Sequence, residues 1–345
     1  MIKESVAKVV AKEDLTQSEM EGTMNEIMSG EATPAQIGAF ITALRMKGET
    51  VEEITGAARV MRAKATKIDI TGHVGNETIL DTCGTGGDGT NTFNVSTATA
   101  FVAAGGGVIV AKHGNRAVSS KCGSADVLET LDVKLDIAHT DVAKSLKEVG
   151  IGFLFAPLFH RAMKYAAGPR QEIGLRTIFN VLGPLTNPAG ATAQVLGVYD
   201  PGLTEKIAKV LGRLGTGQAF VVCGEGTFDE ISITSPTRVS HLKDGKVRTY
   251  DIAPEDFGFK RAHVDSIKGG DPQENADIIR KILEGEKGPK RDMVILNTGA
   301  AFVAAGLDPD MEEGTKRAVD SIDSGKAKEK LNKLILFTQS CATEE

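Results

Sequence analysis

Between Asp81 and Thr97 the chain reads DTCGTGGDGTNTFNVST, with glycines at 84, 86, 87 and 89 among hydroxyls and asparagines, and Asp88 inside the turn. ETIL before it reads as a strand and ATAFVAAGG after it as a helix of small residues. A glycine-rich turn between strand and helix gathers backbone N–H groups at one point, and the helix dipole adds partial positive charge there, so the place suits phosphate. Glycine lets the backbone approach an anion with no Cβ in the way. No Gly-Lys-Ser/Thr follows, so this is not a Walker A loop, and GTGGDG departs from the dinucleotide spacing GxGxxG. The plain alternative is a tight turn packing helix on strand. Asn94, Ser96 and Thr97 count against it, because hydroxyls at a helix start can meet phosphate oxygens or a magnesium ion.

A second loop follows the next strand, in KHGNRAVSSKCGSADVLETL. Lys112 and His113 fall at the carboxyl end of GVIVA, where open α/β sheets place ligands. Arg116 to Gly123 carries Ser119, Ser120 and Lys121, and Ser124 is expected to cap the helix ADVLETL. Each residue alone could be an exposed strand end or a solvated loop. Two phosphate-type loops after consecutive strands suggest a ligand with two phosphate groups.

The pair CGTGGD…NVST and KHGNRAVSSKCGSADVLE, followed in order by GPLTNP at 183–188 and FDEIS at 228–232, resembles the anthranilate phosphoribosyltransferases over essentially the whole chain. The resemblance implies transfer of a 5-phosphoribosyl group from phosphoribosyl pyrophosphate to the amine of anthranilate in tryptophan biosynthesis, with pyrophosphate leaving. It implies that Gly84, Thr85, Gly86, Gly87, Asp88, Thr92, Asn94, Ser96 and Thr97 surround the pyrophosphate and ribose. Lys112, Ser119, Ser120 and Ser124 would close over the phosphates. Asp229 and Glu230, with Ser96, would hold two Mg²⁺ ions; outside this motif set the acidic pair would read as solvated. Arg170 would grip the anthranilate carboxylate, with Gly84, His113, Asn115, His160, Met163 and Tyr165 around the ring. For His160 a helix-start histidine is an equal alternative, and Arg176 reads as structural.

That chemistry is coherent. Breaking the C1–O bond builds positive charge on ribose and negative charge on the leaving group. Magnesium, loop N–H groups and Lys112 can stabilise the departing charge. An aromatic amine is neutral near pH 7 and needs no strong base, so positioning does much of the work. The chain shows no HExxH and no nucleophile elbow. The rivals are a pyrimidine nucleoside phosphorylase, a phosphoribosyltransferase with another acceptor, and a non-enzymatic relative that keeps the fold.

The elements that must position these residues fall into two textures. Residues 3 to about 66 carry apolar residues at helical spacing, with Thr16, Thr33 and Thr50 where N-caps belong and Gly30 and Gly48 where helices stop. From about residue 78, the runs ETILDTC, GVIVAKHG, GIGFLFA, TAQVLGVY, GQAFVVCG and DMVILN read as strands alternating with helices. The fold class is therefore α/β: a small all-helical domain plus a larger α/β domain with a mainly parallel sheet. Residues 1–70 with about 160–185 are expected to form the first, and 71–160 with about 186–345 the second. NTGAAFVAAG echoes NVSTATAFVAAGG, which reads as two helices each starting at an Asn cap.

Composition sets limits. The 345 residues exceed what one core usually supports. Aromatics are 5% with no Trp, and the net charge is −6, which disfavours nucleic-acid stacking and general polyanion binding. Cys83, Cys122, Cys223 and Cys341 form no CxxC pair, which fits a reducing cytoplasm. No run approaches the ~20 apolar residues of a membrane span, and the N-terminus lacks a signal-peptide run. The resemblance adds a homodimer through the helical domain as the expected assembly.

Overall fold

The computed structural model describes residues 1–70, 77–86, 89–117 and 121–342. Four helices open the chain: α1 (Ile2–Val10), α2 (Gln17–Ser29), α3 (Pro34–Lys47) and α4 (Val51–Lys64). The last three start at Thr16, Thr33 and Thr50, each in a reciprocal capping box with Glu19, Gln36 and Glu53. Gly30 and Gly48 end α2 and α3 at positive φ, as glycine there should.

The second region runs β1 (Ile79–Gly84), α5 (Val95–Gly105), β2 (Ile109–Gly114), α6 (Ser124–Thr130), α7 (His139–Glu148) and β3 (Ile151–Phe155). Three helices follow, α8 (Ala156–Phe159), α9 (Lys164–Ile173) and α10 (Ile178–Leu182). The chain then continues through β4 (Ala193–Gly197), α11 (Leu203–Arg213), β5 (Gln218–Gly224), β6 (Thr237–Lys243) and β7 (Lys246–Ile252). It closes with α12 (Pro272–Leu283), α13 (Pro289–Ala304), α14 (Met311–Asp323) and α15 (Lys326–Ser340). The seven strands lie in the order β3-β2-β1-β4-β5-β6-β7, parallel from β3 to β5 and antiparallel beyond.

Strand alternation divides the core. Leu80, Val110, Val195, Phe220 and Val222 face one layer, packed with α5, α6 and α12 to α15. Leu196, Val221 and Cys223 face the other, where α11 and the N-terminal helices share one apolar core with Ala166, Ile178, Phe179 and Leu182 of α9 and α10. The helical region is thus packed continuously onto the sheet.

Three expectations need correction. DMVILN is no strand; it lies inside α13, where Met293 to Leu296 are buried on all sides. An apolar run buried all round has neither period 2 nor period 3.6, so strand and helix look alike. For the same reason Asn297 is not a cap but sits in mid-helix. Asn94 does hold the N-cap position of α5, although its side chain makes no capping bond. Ser124 does not cap α6: Gly123 is the N-cap, and Asp126 Oδ2 accepts the N–H groups of Gly123 (2.8 Å) and Ala117 (2.9 Å). Residues 237–252 hold two strands that apolar runs do not signal, joined at Asp244 and Gly245, both at positive φ. That Asp-Gly pair is the sequence cue for the hairpin.

Candidate active site

β1 has β2 on one side and β4 on the other, and the chain leaves β1 toward β2 and β3 before returning to β4. The direction of winding therefore reverses between β1 and β4, and ligands of open α/β sheets sit outside the carboxyl ends of strands at such a reversal. β1 and β4 pair as far as Gly84 and Gly197. The acidic loop after β5 is seated on those two glycines. A Cβ on Gly197 would lie 1.4 Å from the Asp229 carbonyl oxygen, and one on Gly84 2.3 Å from Asp229 Oδ2. Asp229, nearly buried, accepts the Gly86 N–H through Oδ2 at 2.8 Å, and the Thr85 N–H reaches Gly197 O at 2.9 Å. The glycine loop at Gly86 and Asp229, 143 residues apart in sequence, thus meet. Gly87 and Asp88 lie outside the described residues.

β2 carries two site residues to opposite faces. Lys112 follows Val110 toward α5. Its Nζ, buried, donates to Thr82 O (2.6 Å) and Ser96 Oγ (3.3 Å), and Thr82 Oγ1 donates to Ser96 O (3.0 Å). Burial pulls the ammonium toward the neutral form, while the charges of Asp81 and Glu230 oppose this. Thr97 points inward beside Lys112 with its hydroxyl unpartnered, instead of into the loop. Thr92 makes an antiparallel bridge to Lys268, which ties the glycine loop to the segment before α12.

The β1–β2 ladder stops at Leu80 and Val110. Val110 N–H turns to Gly150 on the β3 side, so the next rung toward β1 would join Thr82 O to His113 N–H. Side chains take both groups instead: Lys112 Nζ binds the carbonyl, and Asp81 Oδ1 accepts the His113 N–H at 3.0 Å. Asp81 is wholly buried, its Oδ2 has no hydrogen-bond partner, and burial raises its carboxyl above the usual range. Nothing local in the sequence marks Asp81 for this task.

In the second loop Asn115 and Arg116 are exposed. Arg116 is committed to Glu129 and Asp126, and Ser124 Oγ donates to Asn115 O at 3.4 Å. Cys122 and Asn94 exchange contacts, Asn94 Nδ2 to Cys122 O (3.4 Å) and Cys122 Sγ to Asn94 Oδ1 (3.3 Å), so the two loops are joined. Burial pushes the Cys122 thiol to about 12, which makes it a poor nucleophile at neutral pH. Ser119 and Ser120 lie outside the described residues.

His113 faces the helical side. Its ring meets that of His160 edge-on, centroids 5.2 Å apart. The backbone of GPLTNP holds both, Gly183 bonding His113 and Thr186 bonding His160, and both Nε2 atoms are buried without partners. Desolvation lowers His113 to about 3 and His160 to about 4, so both are neutral at pH 7 with Nε2 as an unused acceptor. Asn187 of the same motif donates to Ala111 O at 2.8 Å, and Gln194 Nε2 donates to Pro184 O at 2.7 Å, which fixes the turn. Arg170, half-buried over the Phe179 ring at 5.2 Å, has no ion pair among the described residues. Met163 is partly buried in the helical core. Tyr165 is 39% exposed with its ring against Gly30, so it lies on the surface of the helical region.

Among the described residues no three His, Cys, Asp or Glu side chains converge as a metal site. Asp229 and Glu230 beside the glycine loop fit Mg²⁺ in its usual protein role, in which one or two carboxylates leave the remaining positions to substrate phosphates and water.

Residues 76–328 match the glycosyl transferase family a/b domain, and residues 3–65 the glycosyl transferase family helical bundle domain. The anthranilate phosphoribosyltransferase of Geotalea uraniireducens is 58% identical, with 98% of this chain and 99% of that protein covered. That of Acetivibrio thermocellus is 55% identical over 99% and 97%. Among solved structures, the anthranilate phosphoribosyltransferase of Thermus thermophilus superposes with a TM-score of 0.91 at 44% identity, over 97% of this chain and 99% of that one. The Saccharomyces cerevisiae enzyme in complex with PRPP and Mg gives 0.89 at 29%, over 98% of each.

Proposed function

The chain belongs to the anthranilate phosphoribosyltransferase family, and from that premise we infer how its own residues carry the reaction. It is a magnesium-dependent glycosyltransferase of tryptophan biosynthesis, moving the 5-phosphoribosyl group of phosphoribosyl pyrophosphate to the amine of anthranilate. One observation carries the assignment of roles: β2 sends Lys112 to the phosphate side and His113 to the opposite side, so one strand end borders both substrates.

On the phosphate side, Gly84 to Asp88, Thr92, Asn94 and Ser96 receive the pyrophosphate and ribose. Ser119 and Ser120, with Ser124 at the start of α6, are assigned to the same phosphates. Asp229 and Glu230, with Ser96, hold Mg²⁺, two ions in this reading, which supplies positive charge to the departing pyrophosphate. Lys112 sets its Nζ beneath the glycine loop, held there by Thr82 O, where it can stabilise the departing charge. On the acceptor side, the neutral His113–His160 ring pair borders the aromatic amine, and Arg170 offers its guanidinium to the carboxylate. Gly84 and Asn115 border this side, Met163 backs it, and Tyr165 is left at its rim.

The same reading divides the chain into a helical domain, 1–70 with about 160–185, and an α/β domain of the remainder. The packing of α9 and α10 against α2, α3 and α4 supports it. Exposed Val10, Met46 and Leu175 on the helical side support a homodimer through that domain. A biosynthetic reaction on small soluble substrates supports a cytoplasmic site of action; among the described residues no helix is long and apolar enough to cross a membrane.

The test is the loss of anthranilate fluorescence on adding phosphoribosyl pyrophosphate. Loss that requires Mg²⁺ and both substrates is expected. Turnover of thymidine with phosphate in its place would favour a nucleoside phosphorylase. Arg170→Ala is expected to raise the anthranilate KM about 10- to 100-fold, the worth of a charge-assisted pair, and leave the phosphoribosyl pyrophosphate KM unmoved. An equal rise in both would send the carboxylate to another residue.

A further inference from the structure

We propose that Asn297, in the middle of α13, is a positioning residue for the acidic loop and thereby sets the magnesium requirement of the reaction. This rests on the assignment of Asp229 and Glu230 to the metal. Asn297 is 1% exposed, in a helix whose neighbouring side chains are almost all apolar. Its amide is fully used. Oδ1 accepts the Ile231 N–H at 2.9 Å, and Nδ2 donates to Ile231 O and to Met293 O, each at 2.9 Å. Ile231 is the residue directly after Glu230.

An asparagine in a helix interior is unfavourable by propensity, and a buried amide must be satisfied, so helix stability alone gives no reason for one here. Its two bonds to Ile231 resemble a rung of sheet, made by a side chain to a segment that belongs to no strand. From the other side Asp229 rests on Gly84 and Gly197. The acid pair is therefore held between a glycine floor and an amide clamp. The residues after the clamp are fastened separately, Ser232 N–H to Thr237 Oγ1 and Ala262 N–H to Ile233 O, both at 2.9 Å. Asn297 grips the residue after the acids, while the residue before them is fastened by backbone, Gly224 N–H to Phe228 O at 2.8 Å.

The experiment titrates the full chain with Mg²⁺ in the wild type, Asn297→Ala, Asn297→Asp, Thr298→Val and the double variant Asp229→Asn/Glu230→Gln, reading turnover and, with phosphoribosyl pyrophosphate but no anthranilate, binding of the metal itself by the paramagnetic resonance of Mn²⁺ in its place. Asn297→Asp keeps the acceptor for Ile231 N–H but turns an oxygen toward Ile231 O. Thr298→Val removes a buried bond of the same helix, to Val294 O, without touching the acidic loop. Groups that orient metal ligands from behind typically contribute 10- to 100-fold to metal affinity or activity. The expected result is a rise of about tenfold or more in the half-saturating Mg²⁺ for both Asn297 variants, with the anthranilate KM unchanged and Thr298→Val near wild type. An unchanged Mg²⁺ midpoint, or a parallel rise in the anthranilate KM, would overturn the proposal. If Asn297→Ala fails to fold, Asn297→Asp decides, and failure of both to fold would make Asn297 a packing residue only. Should the double variant keep the wild-type Mg²⁺ dependence, the metal assignment itself falls. Should it lose turnover while both Asn297 variants stay normal, only the positioning role falls.

Discussion

The two seams of β1 are built in opposite ways. Toward β4 the backbones pair to the end, at Gly84 and Gly197, and the absence of side chains lets the Asp229 segment settle onto the strands. Toward β2 the ladder stops early, and two buried charged side chains, Asp81 and Lys112, take the next rung's amide and carbonyl. One seam is a floor made by removing atoms. The other is a slot kept in register by adding charge. The floor leaves backbone open to close approach, and the slot holds Lys112 and His113, adjacent residues of β2, facing opposite sides.

The sharpest way to break this comparison is Gly197→Ala. A Cβ 1.4 Å from a backbone oxygen cannot be relieved by a rotamer, so the acidic loop must move. The expected outcome is loss of Mg²⁺-dependent turnover together with a stability loss at the far end of the single-mutant range, about 4–5 kcal/mol, read by urea unfolding. Near-normal activity would mean that the floor is not needed. The slot side has its own signature in pH. His113 and His160 stay neutral when folded, with values of about 3 and about 4, against about 6.5 unfolded. Below 6.5 the unfolded chain binds protons that the folded chain refuses, so stability is full above that pH and falls as pH drops toward the folded values. From pH 7 to 5 each histidine is expected to remove about 2 kcal/mol, about 4 together. The profile should flatten by half in His160→Phe, and an unaltered slope would place the rings in solvent.

Asp81 is next in size. Replacing it by alanine leaves the buried His113 N–H without an acceptor and Lys112 without its nearest buried counter-charge, an expected cost of about 3 kcal/mol by urea unfolding at pH 7. Asp81→Asn keeps an acceptor in place and should lose about 1 kcal/mol. Equal losses would show that the charge, not the acceptor, holds the slot.

What is legible in the sequence follows the same division. The glycine loop is a local motif whose residue types point to phosphate, whereas Lys112-His113 and the acids at 229–230 read as plain residues outside the motif set and take their roles from the resemblance; the structure brings Gly86 and Asp229 into contact. The caps at Thr16, Thr33 and Thr50 are legible because a capping box is complete within four residues. Gly197 and Asp81 are not, since their tasks depend on which strands neighbour β1, and that is set by a crossover between β1 and β4 of more than 100 residues. Asn297 reads as a cap in sequence because an apolar run buried all round has no period to betray a helix. Tyr165 sits in an amphipathic-looking stretch that gives no hint of which face meets Gly30.

The smallest expected effect tests the floor where it meets the ligand. Gly86 has φ +66°, and a Cβ there would touch nothing within 4 Å, so an alanine is opposed by backbone conformation and not by crowding. Holding an alanine in the left-handed region costs about 1 kcal/mol. If the loop takes this conformation to present N–H groups to pyrophosphate, Gly86→Ala should raise the phosphoribosyl pyrophosphate KM about fivefold, leave the anthranilate KM alone, and change stability by about 1 kcal/mol at most. Gly86→Val, with a branched side chain beside the anion, should do more. Were the KM unmoved and only stability altered, the glycine would serve the turn and the Asp229 contact, and the anion would be held by the start of α5 instead. The two seams would then differ in packing alone, with the phosphate chemistry lying on the β2 side of β1.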